Sequence, residues 1–327
     1  MLTCVPQRRG RPSARAQRMA VLSELRYPTT RLAKVFSGLL AIFLFAFVSV
    51  ATISGFLLYQ LLKPARTPST VDLTVMMGHP TIFTFPIPGG PDRDGWFFPG
   101  LRSAPTVVVA HGYLSQRLGL LTLVSALQDH QFNVFLFDFT GHGSSPGVTT
   151  LGYHEARELE AALQALAKRD DVDPHHFGLW GVDMGGYAVL KVAGTDPRVA
   201  AFAVDDAFDD PRDMVQMEMK RSGLTILPLV GHFCDWGFRL MNFQFRNDGP
   251  VSMNLVRTRG VPKLFIQSDD RQALANETFQ IFMRAPDPKQ LERERLSYSE
   301  MADEDRHNYE NLIVNFFLQS TPPTSRP

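Results

Sequence analysis

Between Val35 and Leu62 the chain carries 28 consecutive residues without a charge, built round the dense apolar block Leu39 to Val48. Coiled as a helix at 1.5 Å per residue, the run would be about 42 Å long, against roughly 30 Å for the hydrocarbon core of a bilayer. The pattern predicts one membrane-spanning helix over 35–62. A cleavable signal peptide has a shorter apolar region and a small-residue exit site, whereas this run continues through Phe56, Leu57, Leu58, Leu61 and Leu62, so an uncleaved signal anchor is expected.

From Val71 onward the pattern changes to alternating strand-like and helix-like stretches, the signature of an α/β domain with a mainly parallel sheet. Thr81 to Ile87 and Asp94 to Phe98, with Pro88-Gly89-Gly90-Pro91 between them, read as an antiparallel hairpin at one edge. Thr106 to Ala110, Asn133 to Asp138, Phe177 to Trp180, Val199 to Val204 and Pro262 to Gln267 read as strands buried on both faces. Leu118 to Gln128, Tyr153 to Arg169 and Asp303 to Leu318 read as helices, and a last strand is placed near Gln290 to Leu296. The segment 211–258 between two of the strands is rich in Leu and Phe and contains Trp236. It is expected either as a helical cap or as crossover helices packed on the sheet.

Charge adds a direction to this picture. Eight basic residues (Arg8, Arg9, Arg11, Arg15, Arg18, Arg26, Arg31 and Lys34) precede the apolar run against the single acid Glu24, and only Lys63 and Arg66 follow closely. The positive-inside rule then keeps the N-terminus in the cytoplasm and exports the rest as a single-pass membrane protein. The expected organisation is a basic tail over 1–34, the anchor over 35–62, a Pro-containing linker over 63–76, the α/β domain over 77–319 and a short tail over 320–327. A net charge of zero offers no electrostatic footprint for nucleic acid. The two cysteines, Cys4 and Cys234, fall on opposite sides of the predicted membrane span and are not expected to pair. The nine histidines are scattered, so neither a metal centre nor a cofactor is expected.

The candidate chemistry centres on Gly181-Val182-Asp183-Met184-Gly185-Gly186, which lies between a strand-like and a helix-like run. That is the setting of a nucleophile elbow, G-x-S-x-G, with aspartate where serine would stand. Together with His111-Gly112-Tyr113, Phe137-Asp138-Phe139-Thr140-Gly141-His142-Gly143-Ser144 and the late strand ending in Asp269-Asp270, it resembles the α/β-hydrolase superfamily, in particular bacterial serine-aminopeptidase and prolyl-oligopeptidase-like hydrolases. The resemblance implies an α/β-hydrolase fold, oxyanion-hole N–H groups from Tyr113 and Met184, a nucleophile position at Asp183 and a triad acid at Asp270, with Asp269 its near alternative. His111 and His142 are read as organising their loops, and Asp205 and Asp206 as turn or cap residues that could also supply a second acid.

Two departures from that pattern matter. Aspartate is a nucleophile in relatives resembling haloalkane dehalogenases and epoxide hydrolases. Here, however, Met184 stands where dehalogenases carry tryptophan, no tyrosine lies between Tyr187 and Tyr298 to serve an epoxide, and Leu114 replaces the proline that usually follows His-Gly-x. The second departure is the base. The segment Ser297-Tyr298-Ser299-Glu300-Met301 contains no histidine, and His307 is the only later one. If the terminal helix begins before His307, that residue points about 150° away from the apolar stripe and faces solvent; if it begins at Asn308, His307 lies on the incoming loop and could act as base. Two functions follow as expectations. One is a membrane-anchored hydrolase of ester, amide or related bonds in a small-molecule or peptide substrate, using Asp183, His307 and Asp270. The other is an inactive pseudohydrolase kept as a binding or scaffolding module.

Overall fold

The computed structural model describes residues 30–68, 79–224 and 227–323. Most of the basic tail, including Cys4, the later part of the linker, and the last four residues lie outside the described residues. The chain divides into two compact units, one up to Gly55 and one from Phe56 onward. The first is helical from Arg31 and belongs to helix α1, Arg31–Leu62, which is long and apolar enough to cross a membrane. The helix starts four residues ahead of the charge-free run and takes in Arg31 and Lys34, because backbone hydrogen bonding is indifferent to the charges that delimit a hydropathy window.

The second unit is built on eight strands: β1 (Thr81–Phe85), β2 (Arg93–Phe98), β3 (Thr106–Ala110), β4 (Asn133–Phe137), β5 (Phe177–Val182), β6 (Val199–Asp205), β7 (Lys263–Ser268) and β8 (Lys289–Glu294). They form one sheet in the order β1-β2-β4-β3-β5-β6-β7-β8. The pairings of β2 with β1 and with β4 are antiparallel, and all others are parallel. Every residue of β3, β4 and β5 is buried, as the unbroken apolar runs require of strands covered on both faces.

The helices between them are α2 (Leu121–Asp129), α3 (Tyr153–Leu166), α4 (Met184–Ala193), α5 (Pro211–Arg221), α6 (Pro228–Met241), α7 (Gln272–Arg284) and α8 (Asp303–Ser320). Leu123, Val124 and Leu127 of α2 and Ile313, Val314 and Phe317 of α8 share one core with Val107, Val109 and Trp180 of the sheet. Strand side chains alternate between faces, so Phe202 and Phe265 belong to the other side, where Phe265 meets Phe282 of α7 edge to face.

Parallel register brings the functional ends together. Ala110 pairs with Gly181, Val182 with Asp205, and Asp205 with Ile266. The loops leaving β3, β5, β6 and β7 therefore emerge side by side at the carboxyl edge of the sheet, where open α/β sheets bind their ligands.

Candidate functional site

The turn after β5 is set by glycines and by one strained residue. A Cβ on Gly181 would collide with the backbone of Gly185 and Gly186 across the turn, and one on Gly185 with that of Ala110 and His111 at the end of β3, so the helix start packs against both strands only because these positions are bare. Asp183, at the apex, has φ 39° and ψ −104°. A non-glycine residue in that region stores about 1–3 kcal/mol, which the surrounding sheet must impose. Its N–H donates to the Asp205 carbonyl at 2.8 Å, and its carbonyl accepts from Tyr187 N at 2.9 Å, which fixes the apex at both ends.

The side chain lines the cavity and is held there by three donors. Its Oδ1 accepts the backbone N–H of Tyr113 at 2.7 Å and also that of Met184, and Nη1 of Arg271 reaches Oδ2 at 3.1 Å. Tyr113 and Met184 supply the two amides that the sequence assigns to an oxyanion hole, and both converge on one carboxylate oxygen. The carboxylate is almost entirely buried, with side-chain exposure of 3% against 27% for Arg271. Gly112 makes this packing feasible: a Cβ there would lie 2.7 to 2.9 Å from the carboxyl atoms of Asp183.

Arg271 is a residue of this site that the sequence motifs do not indicate. It follows Asp269-Asp270 directly and opens α7 from β7, yet its partner is 88 positions away. It also faces the two carboxyls at the end of β6. Asp205 is fully buried and accepts the Tyr309 hydroxyl at 2.8 Å; Asp206 accepts the Ser268 N–H at 2.9 Å. Burial, reinforced by each other's charge, holds Asp205 well above the usual carboxylate range. Burial likewise pushes Asp206 up to about 7, while the Ser268 N–H and Arg271 pull the other way.

That shift has a sign that can be tested. A carboxyl whose pKa is higher folded than unfolded stabilises the fold while protonated, so its contribution is complete below about pH 4 and is lost as the pH rises through about 7. Urea unfolding of the full chain in detergent should show stability falling across that window, by at most about 1.4 kcal/mol per pH unit for one proton. Asp206→Asn, which tolerates the φ of 47° at this position, should flatten the slope; a slope unchanged in that variant would assign it elsewhere.

Asp270 lies on the same cavity but addresses a different partner. Its Oδ1 accepts the Ser297 N–H at 2.9 Å and its Oδ2 the Ser297 hydroxyl at 3.0 Å. The acid expected to orient a base therefore holds the loop after β8, and Asp269 pairs with Arg293 at 2.6 Å.

His307 lies in α8, which begins at Asp303, and it is exposed. It is not among the residues lining the cavity. The helix phase explains this. Tyr309 is buried, donates to Asp205 and accepts from Trp180 Nε1 at 3.2 Å. A residue two positions earlier on a helix points about 160° away. Of the two arrangements open to the sequence, the chain adopts the solvent-facing one.

The other histidines near the elbow are organisers of loops. His111 is fully buried, its Nε2 2.9 Å from the Phe139 N–H and its Nδ1 2.8 Å from the Gly112 carbonyl. Those partners require Nδ1 to carry the proton. Burial, with His142 beside it, lowers its pKa to about 4, so it is neutral.

The cavity above Asp183 has a volume of about 980 Å³. Tyr113 and Leu114 line it from the β3 loop, Met214, Met217 and Glu218 from α5, and Tyr298 from the loop after β8. Within 211–258, α5 thus forms a wall of the cavity, while α6 lies beyond it. Among the described residues no group of three or more His, Cys, Asp or Glu side chains could hold a metal ion.

Comparison with known proteins agrees with this architecture. Residues 105–257 match the family described as alpha/beta hydrolase fold. The uncharacterized protein YfhR of Escherichia coli O157:H7 is 25% identical over 245 residues, covering 72% of this chain and 79% of its own. The uncharacterized protein YqkD of Bacillus subtilis is 25% identical over 250 residues, covering 72% and 78%. Among solved structures, the Pyrococcus furiosus esterase Pf2001 superposes with a TM-score of 0.64 at 17% identity, covering 80% of this chain and 99% of that one. An acylaminoacyl peptidase of Pyrococcus horikoshii gives 0.57 at 14% identity, covering 76% and 42%. The sheet order, the tight turn after β5 and these matches together identify the chain as a protein of the α/β-hydrolase fold.

Proposed function

We propose that this chain is a membrane-anchored pseudohydrolase, a binding module in which the hydrolase pocket is kept and the catalytic centre is closed by its own Asp183. One observation carries the reading: both oxyanion-hole amides and the Arg271 guanidinium are already engaged by the Asp183 carboxylate. An oxyanion hole accelerates acyl transfer because its donors await a charge that develops only in the transition state, each contributing about 3 kcal/mol. Donors satisfied by a resident anion have no such reserve. The paired guanidinium also cancels the carboxylate as a cation receptor. The cavity, with methionines on one wall and Tyr113, Glu218 and Tyr298 around it, suits a hydroxyl-bearing small molecule or amphiphile. The α1 helix supplies the anchor, with the basic tail on the cytoplasmic side and the folded domain outside by the positive-inside rule.

The strain at Asp183 favours a second reading. An apex held at φ 39° is the device that presents a nucleophile, and an enzyme would use Asp183 as nucleophile, His307 as base after rearrangement of the start of α8, Asp270 as orienting acid, and the Tyr113 and Met184 amides on the substrate. The two readings separate in a turnover assay on the full chain in detergent micelles, with nitrophenyl esters, aminoacyl amides, epoxides and haloalkanes. Rates equal to those of Asp183→Ala on every substrate are expected. A wild-type rate about tenfold above that variant, a difference of about 1.4 kcal/mol in barrier, would sink the binding-module reading and support the enzyme.

A further inference from the structure

Helix α6 has two apolar faces, and only one of them is used inside the fold. Val230, Cys234 and Phe238 are buried, Phe238 stacking near Tyr153 with ring centres 6.3 Å apart. On the opposite side Leu229 is 66% exposed, Trp236 62% and Leu240 60%, and Phe243, on the turn that follows, is 58% exposed. At about 100° per residue, Leu229, Trp236 and Leu240 lie within roughly 40° of one another, so they form a single stripe. A helix that spends three large side chains on solvent needs an apolar environment for them, and contiguous patches of this kind mark interaction surfaces.

The neighbour of that stripe indicates the environment. Phe56–Leu62, the last two turns of α1, belong to the same compact unit as α6. Leu58 is 3% exposed, and a Cβ on Gly237 would approach its Cδ2 to 3.1 Å, so α6 packs on Leu58 at the residue adjoining Trp236. The charge-free run exceeds a bilayer core by about eight residues. Phe56–Leu62 are the C-terminal turns of that run, and α6 packs on them at Leu58. The stripe is flanked by exposed His232, by Arg239, which pairs with Asp235 at 2.9 Å, and by exposed Arg246, whose guanidinium lies 4.3 Å from the Phe243 ring. Apolar side chains with a tryptophan, bordered by basic groups, are what the boundary between acyl chains and anionic headgroups accommodates.

From these positions we infer that the Leu229–Trp236–Leu240 face of α6 is a second membrane contact, seated in the interfacial layer of the bilayer that α1 crosses. This inference rests on the anchor reading and adds to it a surface through which the cavity-lining helix α5, on which α6 packs, is held at the lipid boundary. The occupant is the lipid surface itself.

The chain contains its own probe, because Trp96 and Trp180 are buried and Trp236 is the exposed tryptophan of the three. The full chain, reconstituted in phosphatidylcholine and phosphatidylglycerol vesicles, should lose at least half of its Trp236 emission when the phospholipids carry brominated acyl chains. The Trp236 contribution is taken as the difference from Trp236→Phe. Leu229→Glu with Leu240→Glu should abolish that quenching while leaving the protein resistant to alkaline carbonate extraction. Resistance to carbonate with Trp236 quenched by acrylamide and not by brominated lipid overturns the second contact and leaves the anchor standing. Protection from both quenchers also overturns it and assigns the face to a protein partner or a second copy. Release by carbonate removes the anchor reading and this inference together.

Discussion

Replacing Arg271 by methionine is expected to cost the folded chain about 3 kcal/mol, the low end of the range for breaking a buried ion pair, because the guanidinium is partly exposed. The loss has a specific origin. Asp183, Asp205 and Asp206 are all buried at the ends of β5 and β6, and Arg271 is the cation that faces them. Without it, the Asp183 carboxylate keeps its two amide donors and loses the positive charge. Asp183→Asn in the same chain should recover more than half of the loss, since a carboxamide oxygen can still accept from the Tyr113 and Met184 amides. Urea unfolding of the wild type, both single variants and the double variant gives the coupling between the two residues. A coupling above about 1 kcal/mol is expected, and strict additivity would mean that Arg271 acts through another acid.

Gly112→Ala is the second large effect. The added methyl would stand 2.7 to 2.9 Å from the carboxyl group of Asp183, inside contact distance, and should cost about 2 kcal/mol by overpacking. In the Asp183→Ala background the same methyl enters space that the carboxyl has vacated, and the cost should fall below half. The outcome reports on the location of the carboxylate independently of any assay of turnover. An equal cost in both backgrounds would place the clash with backbone and contradict a carboxylate seated in the amide pair.

The α/β-hydrolase fold was legible because its signals are local. Thr106–Ala110 is a strand with the boundaries its β-branched run predicts, and the elbow glycines stand within five residues of one another. The site was legible only in part. Asp183 could be flagged as an acid in a serine's place, but the identity of its counter-charge depends on a contact between β5 and the start of α7, and no local pattern encodes a pairing across 88 residues. Arg271 stands directly after Asp269-Asp270 in sequence. The solvent-facing position of His307 is encoded locally. Asp303, Glu304 and Asp305 form an acidic first turn, the charge pattern that favours a helix N-terminus, and they place the helix start ahead of the histidine. The packing of Leu58 was invisible for a simpler reason: leucine facing lipid and leucine facing protein give the same hydropathy.

The end of α1 also bears on where the chain can be divided. Leu61 and Leu62 are buried in the folded domain, and their carbonyls, which a helix terminus leaves without partners, accept the Tyr113 hydroxyl at 2.7 Å and the Thr149 N–H at 2.9 Å. The start of the folded unit therefore does not coincide with the end of the helix. Proteolytic release after Leu62 would strip an apolar plug from the domain and uncover the surface it covers, giving a fragment prone to aggregate. A cut nearer Gly55 would leave the plug in place. The last two turns of the apolar helix α1 are in this sense a structural part of the folded domain, and a truncated form of the protein has to keep them.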